Sequence, residues 1–204
     1  MADSGGRSIS AEEALQRLVS GNERFLRGEA RFSGLTPEML ADLAGGQQPY
    51  ATILGCSDSR VPPEVIFDAG LGELFVVRVA GNVLSAEVAG SLQYAGAHLK
   101  TPLFVVLGHD GCGAVKAALE SRDQGVKQRS RIQILVDSIL PALGDVDSHL
   151  QPAQQLARAV ESNVRWTVRR IRESPEGQAR QAEGRIMLVG AIYDLQSGRV
   201  RFLE

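Results

Sequence analysis

Apolar and polar positions change rhythm along this 204-residue chain. Ser10-Ala11-Glu12-Glu13 places an N-cap serine three residues before a glutamate, and Leu15, Leu18, Val19 and Phe25 then mark a helix that stops near Gly28. Thr36-Pro37 opens a second, short helix that ends at Gly45-Gly46. From Ala51 the pattern alternates. Apolar runs near 51–55, 73–79, 102–108 and 185–194 predict strands, and the segments 85–100, 112–121, 127–142 and 152–173 predict helices between or beside them. Such alternation predicts an α/β fold: a mainly parallel β-sheet of about four strands, buried on both faces and flanked by helices. Asp194-Leu195-Gln196-Ser197-Gly198 reads as a turn, so 199–203 returns as an antiparallel edge strand. The polar stretches 121–131 and 144–152 read as surface loops, with no internal repeat or clear linker. The expected organisation is a tail and helical arm over 1–34 followed by a single α/β domain over 35–204. Because the arm precedes the first strand, it is a candidate to pack on a neighbouring subunit rather than on its own core.

Composition narrows the class without naming a chemistry. At 44% hydrophobic and 23% charged the chain can bury one sizeable core, and a net charge of -2 gives no reason to expect nucleic acid or an anionic membrane as partner. Arginines outnumber lysines but are spread out, as on solvated faces. "MADSGGRSIS" has no apolar export core, and no stretch reaches the ~18 consecutive apolar residues of a membrane span, so a cytoplasmic location is expected. Two cysteines in such a chain are expected to be reduced and chemically employed rather than paired in a framework.

Those cysteines sit where open parallel sheets build sites, outside the carboxyl ends of strands. Cys56 follows the first strand in "GCSDSR", and His109 and Cys112 follow the third in "GHDGCGAV". Two thiolates and an imidazole suit zinc, and three protein ligands leave a tetrahedral position open. The glycines at 108, 111 and 113 allow close backbone approach. Small core thiols or a disulfide compete with this reading. Asp58 and Arg60 shift the balance, because a carboxylate beside a metal site can accept a hydrogen bond there and a guanidinium keeps it ionised.

"CSDSRVPPE", "GELFVVRVAGN" and "GHDGCGAV" together resemble the β-class carbonic anhydrases, over about 35–204. The resemblance implies a zinc enzyme that interconverts carbon dioxide and bicarbonate, with one Zn2+ per chain on Cys56, His109 and Cys112. It also implies a homodimer or a multiple of dimers, with Asp58 and Arg60 as a paired gate and hydrogen-bond acceptor. Against the plant-type members, Gln47 falls on a glutamine that contacts substrate across the subunit interface. Phe75 and Tyr94 fall on aromatic pocket positions, and Gly113 on a backbone amide donor. Ala80 replaces a valine of that pocket. Tyr94 and His98, one helical turn apart, resemble a proposed proton shuttle. Some bacterial members have a bicarbonate-inhibition site built on a tryptophan three residues before the first cysteine, with an arginine and a tyrosine. Here that position is Ile53, Arg78 matches the arginine, and the only tryptophan is Trp166. Two other readings remain: hydrolysis of carbonyl sulfide or carbon disulfide at the same zinc site, and a non-catalytic zinc or redox-sensing protein.

Overall fold

A computed structural model describes residues 9–31, 36–184 and 186–203, so the boundary expected between 34 and 35 lies outside the described residues. Strands β1 (Ala51–Gly55), β2 (Leu74–Arg78), β3 (Leu103–His109), β4 (Met187–Tyr193) and β5 (Val200–Leu203) form one sheet in the order β2-β1-β3-β4-β5. The first four are parallel; β5 returns antiparallel to β4, with Gly190 opposite Leu203 and Tyr193 opposite Val200. Every residue of β1 and β3 is buried, as continuous apolar runs covered on both faces require.

One face is covered by α1 (Ala11–Leu26), which carries the expected Ser10–Glu13 capping box. Its Ala14 and Leu18 are fully buried with Tyr50, Ile53 and Phe67. The expectation that this arm packs on a neighbour is therefore corrected for α1, which closes its own chain's core. Buried Asn22 fixes the docking: its Nδ2 donates to the Ile66 and Gly198 carbonyls (3.2 and 2.9 Å), and its Oδ1 accepts from the Val200 N–H (2.9 Å). Periodicity alone could not have found this anchor, because it joins residues far apart in the chain. Helix α2 (Pro37–Ala44) buries none of its residues, and Met39 and Leu40 remain exposed on it.

After β1 come a four-residue helix, α3 (Pro63–Ile66), and, beyond β2, α4 (Ala86–Tyr94). The helix expected over 85–100 changes hydrogen-bonding register at Ala95 into a wider π turn that ends at left-handed Lys100. Helix α5 (Gly113–Gln124) runs three residues past expectation to a left-handed Gly125. Helix α6 (Ser130–Ile139) tightens into a 3-10 turn, Leu140–Leu143, at Pro141, which has no N–H to continue the ladder.

Helix α7 (Pro152–Glu173) spans the expected segment and lies across β3 and β4. It approaches so closely that a Cβ at Gly108 would come within 2.5 Å of Val164 Cγ2. A final helix, α8 (Pro175–Ala182), buries no side chain and was not expected from the apolar pattern. Among the described residues, no helix is long and apolar enough to cross a membrane.

Candidate metal centre

The chain leaves β1 for β2 on one side of it and then returns to place β3 on the other. This reversal opens a crevice beyond the carboxyl ends of β1 and β3, the usual place for a site in such a sheet. Cys56 follows the last residue of β1, His109 is the last residue of β3, and Cys112 is the N-cap of α5. Two sequence segments more than fifty positions apart thus meet because adjacent parallel strands end at one level.

The sulfur and nitrogen atoms of Cys56, His109 and Cys112 lie within 4.8 Å of one another, and all three side chains are buried. His109 Nδ1 lies 2.8 Å from the Asp110 carbonyl, which selects the Nδ1–H tautomer and leaves Nε2 as a lone pair. That Nε2 is buried without a hydrogen-bond partner. Burial opposes protonation of His109, but the negative charge of the neighbouring Cys56 sulfur outweighs it and raises the imidazole pKa. The hydrogen bond between the cysteines draws the Cys56 thiol well below its usual value and, with burial, drives the Cys112 thiol up. One proton is thus shared where two thiolates could stand. A divalent cation satisfies both sulfurs and the orphaned nitrogen together, so the donor set fits a metal ion.

Asp58 borders this group, with Oδ2 3.8 Å from His109 Nε2. Arg60 holds it bidentately: Nε donates to Oδ1 at 2.9 Å and Nη2 to Oδ2 at 2.7 Å, while the Arg60 N–H also donates to Oδ1 at 3.0 Å. These bonds keep the Asp58 carboxyl well below the usual carboxylate range. Arg78, at the end of β2, supports the same loop from its backbone, donating to the carbonyls of Cys56 (2.9 Å) and Asp58 (2.6 Å). Sequence reading placed Arg78 only by its match to a bicarbonate site and missed this contact. The turn Ala80–Asn82 brings the Gly81 N–H to Cys56 Sγ at 3.4 Å, with Ala80 directly preceding it. Asn163 of α7 also escaped the sequence reading, although an asparagine among Ala159, Val160 and Val164 on a buried stripe is a visible signal.

The other expected site residues fall in three places. Gly113 opens α5 beside Cys112, and an added Cβ there would meet nothing within 4 Å. Phe75, Tyr94 and His98 form an aromatic row, with ring centroids 6.1 Å apart for Phe75–Tyr94 and 4.9 Å for Tyr94–His98. Tyr94 is 48% exposed. Gln47 is exposed ahead of β1, at the end of the sheet opposite its own chain's cysteines. The structure does not bring Gln47 to the metal centre of the same chain.

A carbonic anhydrase family model matches residues 51–200. Carbonic anhydrase 2 of Mycobacterium tuberculosis is 41% identical over 188 residues, covering 91% of this chain and 89% of that protein. Among solved structures, the Coccomyxa β-carbonic anhydrase in complex with acetazolamide superposes with a TM-score of 0.75 at 28% identity, covering 93% of this chain and 86% of that one. A tetrameric β-carbonic anhydrase from Sordaria macrospora gives 0.74 at 25% identity, covering 93% and 96%. The chain belongs to the β-class carbonic anhydrases.

Proposed function

We propose that this chain is a zinc enzyme that interconverts carbon dioxide with bicarbonate and a proton. Cys56, His109 and Cys112 would hold one zinc ion per chain. The observation that carries this reading is the convergence of three buried donors, one of them an unpartnered His109 Nε2, beside a carboxylate clamped by Arg60. When bound, the ion supplies Lewis acidity that makes a water-derived nucleophile available near neutral pH. Cys56 and Cys112 offset its formal charge, so the working pH lies above that of an all-histidine centre.

The remaining residues orient, enclose and move protons. Asp58, ionised and fixed by Arg60, offers only acceptor oxygens and so aligns a donor at the open position. Gly113, on the first turn of α5, has one of the N–H groups that a helix leaves unpaired, suited to bicarbonate oxygen. Ala80 borders the centre beside Gly81, whereas Phe75, level with Thr52 of β1, and Tyr94 with His98 would form an apolar wall and a proton exit to buffer. Gln47 acts in a neighbouring subunit's site, which makes the active unit a homodimer or a multiple of dimers. The tetrameric Sordaria relatives support that assembly. Two free buried cysteines suit a reducing, cytoplasmic location.

The Cys112→Ser variant tests the reading. It should lose zinc and carbon dioxide hydration together, measured by elemental analysis and stopped flow, with carbonyl sulfide as a second substrate. A variant that kept both zinc and hydration would refute the ligand assignment.

A further inference from the structure

The three donors are not the only groups that fix Cys56. Its Sγ accepts the Gly81 N–H at 3.4 Å, and the Gly81 carbonyl in turn accepts Asn163 Nδ2–H at 2.8 Å. One turn further along α7, Thr167 Oγ1 donates to the Asn82 carbonyl at 3.4 Å. Gly81 has φ +72, and a Cβ there would lie 2.8 Å from Ile139 Cδ1 and 3.1 Å from Ala114 Cβ, so glycine is required. The same freedom leaves the direction of its N–H poorly fixed by the local chain. Its N–H and C=O flank one α-carbon, and tying the carbonyl to α7 is what aims the N–H at sulfur.

Asn163 is an expensive residue for mere packing. It is 1% exposed among Ala159, Val160 and Val164, and its Oδ1 has no partner. A leucine would fill such a stripe without stranding a polar atom. We propose that Asn163 is a positioning residue of the metal centre: through Gly81 it delivers an N–H to the Cys56 thiolate. This inference rests on the proposed metal centre and extends it by naming what tunes one ligand. An N–H···S bond stabilises the thiolate form and withdraws electron density from it. Cys56 is thereby kept ready as a ligand while giving less charge to the ion.

The test uses the whole protein loaded with zinc, and separately with cadmium-113. Wild type should take up metal and show a scalar coupling between the Gly81 amide proton and cadmium, transmitted through Sγ. In competition with a chelator, Asn163→Ser and Asn163→Asp should bind zinc about 10–100-fold more weakly than wild type. Val168→Ala, on the same helix but packed toward Gly190, should keep wild-type zinc affinity while losing stability. Wild-type affinity in a folded Asn163 variant would overturn the inference and leave Asn163 a packing residue. Should neither variant fold, the wild-type coupling decides: its presence supports the relay and its absence overturns it. A wild-type protein that takes up no metal refutes the metal centre itself, an outcome distinct from failure of the relay.

Discussion

Arg60 grips Asp58 at both carboxylate oxygens, and the gripped carboxylate stands 3.8 Å from the orphaned Nε2 of His109. An acid so close to three side chains that could hold a metal ion would have two possible partners, the guanidinium or the ion. The bidentate pair holds it to the first.

Removing that grip should close the site. In Arg60→Ala, Asp58 is free to become a fourth ligand, so hydration should fall about 100-fold or more even at alkaline pH, with zinc content unchanged. Arg60→Lys keeps the charge without the fork and should fall between the two. Wild-type turnover in Arg60→Ala across pH 6–9 would return Arg60 to the role of a surface ion pair.

Gln47 and Cys56 lie beyond opposite ends of β1, a five-residue strand roughly 17 Å long. If Gln47 serves a partner's site, two inactive variants should complement each other. Gln47→Ala mixed with Cys112→Ser, unfolded and refolded together, should recover about a quarter of wild-type sites, because half of random dimers are hybrids with one intact site of two. No recovery in mixtures shown by sedimentation to contain hybrids would place Gln47 outside the site.

Much of this architecture is legible in the sequence. The strands were readable because parallel strands buried on both faces are continuous apolar runs, and α7 because its apolar stripe is long. The two metal strings were readable because chain ends of adjacent strands converge. What was hidden is equally physical. Pro63–Ile66 and Pro175–Ala182 are helices too short or too polar to show a buried face. The place of α1 depended on Asn22 meeting residues 44 and 176 positions away. The hydrogen bonds of Arg78 and Asn163 reach 22 and 82 positions along the chain, beyond any local pattern.

Below α1, the side chain of Asp68, 1% exposed, meets Arg24 at 2.5 Å and the Arg31 N–H at 2.7 Å. Burial alone would raise its carboxyl, but the Arg24 and Arg31 hydrogen bonds outweigh burial and hold it below the usual range. A carboxyl depressed on folding contributes stability that is present above its unfolded value and lost as pH falls through its folded value. Asp68→Asn should therefore cost about 2 kcal/mol in urea unfolding at pH 7. The deficit should shrink as pH falls below about 4. A deficit that stayed constant down to pH 2 would assign the effect to packing rather than charge.

Ile53 is fully buried in β1 and offers no side-chain N–H, while Arg78 is committed to the carbonyls of Cys56 and Asp58. The indole N–H that such a bicarbonate site uses at this position is therefore missing here. Steady-state assays should show simple product inhibition, and a cooperative dependence on bicarbonate would contradict this.

If one zinc ion held by Cys56, His109 and Cys112 carries catalysis, activity should follow zinc occupancy in a titration. Metal-stripped protein is given increasing zinc, and stopped-flow carbon dioxide hydration is read at each step. The rate should begin at the uncatalysed background, rise in proportion to zinc, and level off at about one equivalent per chain, as expected for one closed set of three ligands with an open position. Full hydration activity in the stripped protein, or no gain on adding zinc, would show that catalysis does not depend on this ion.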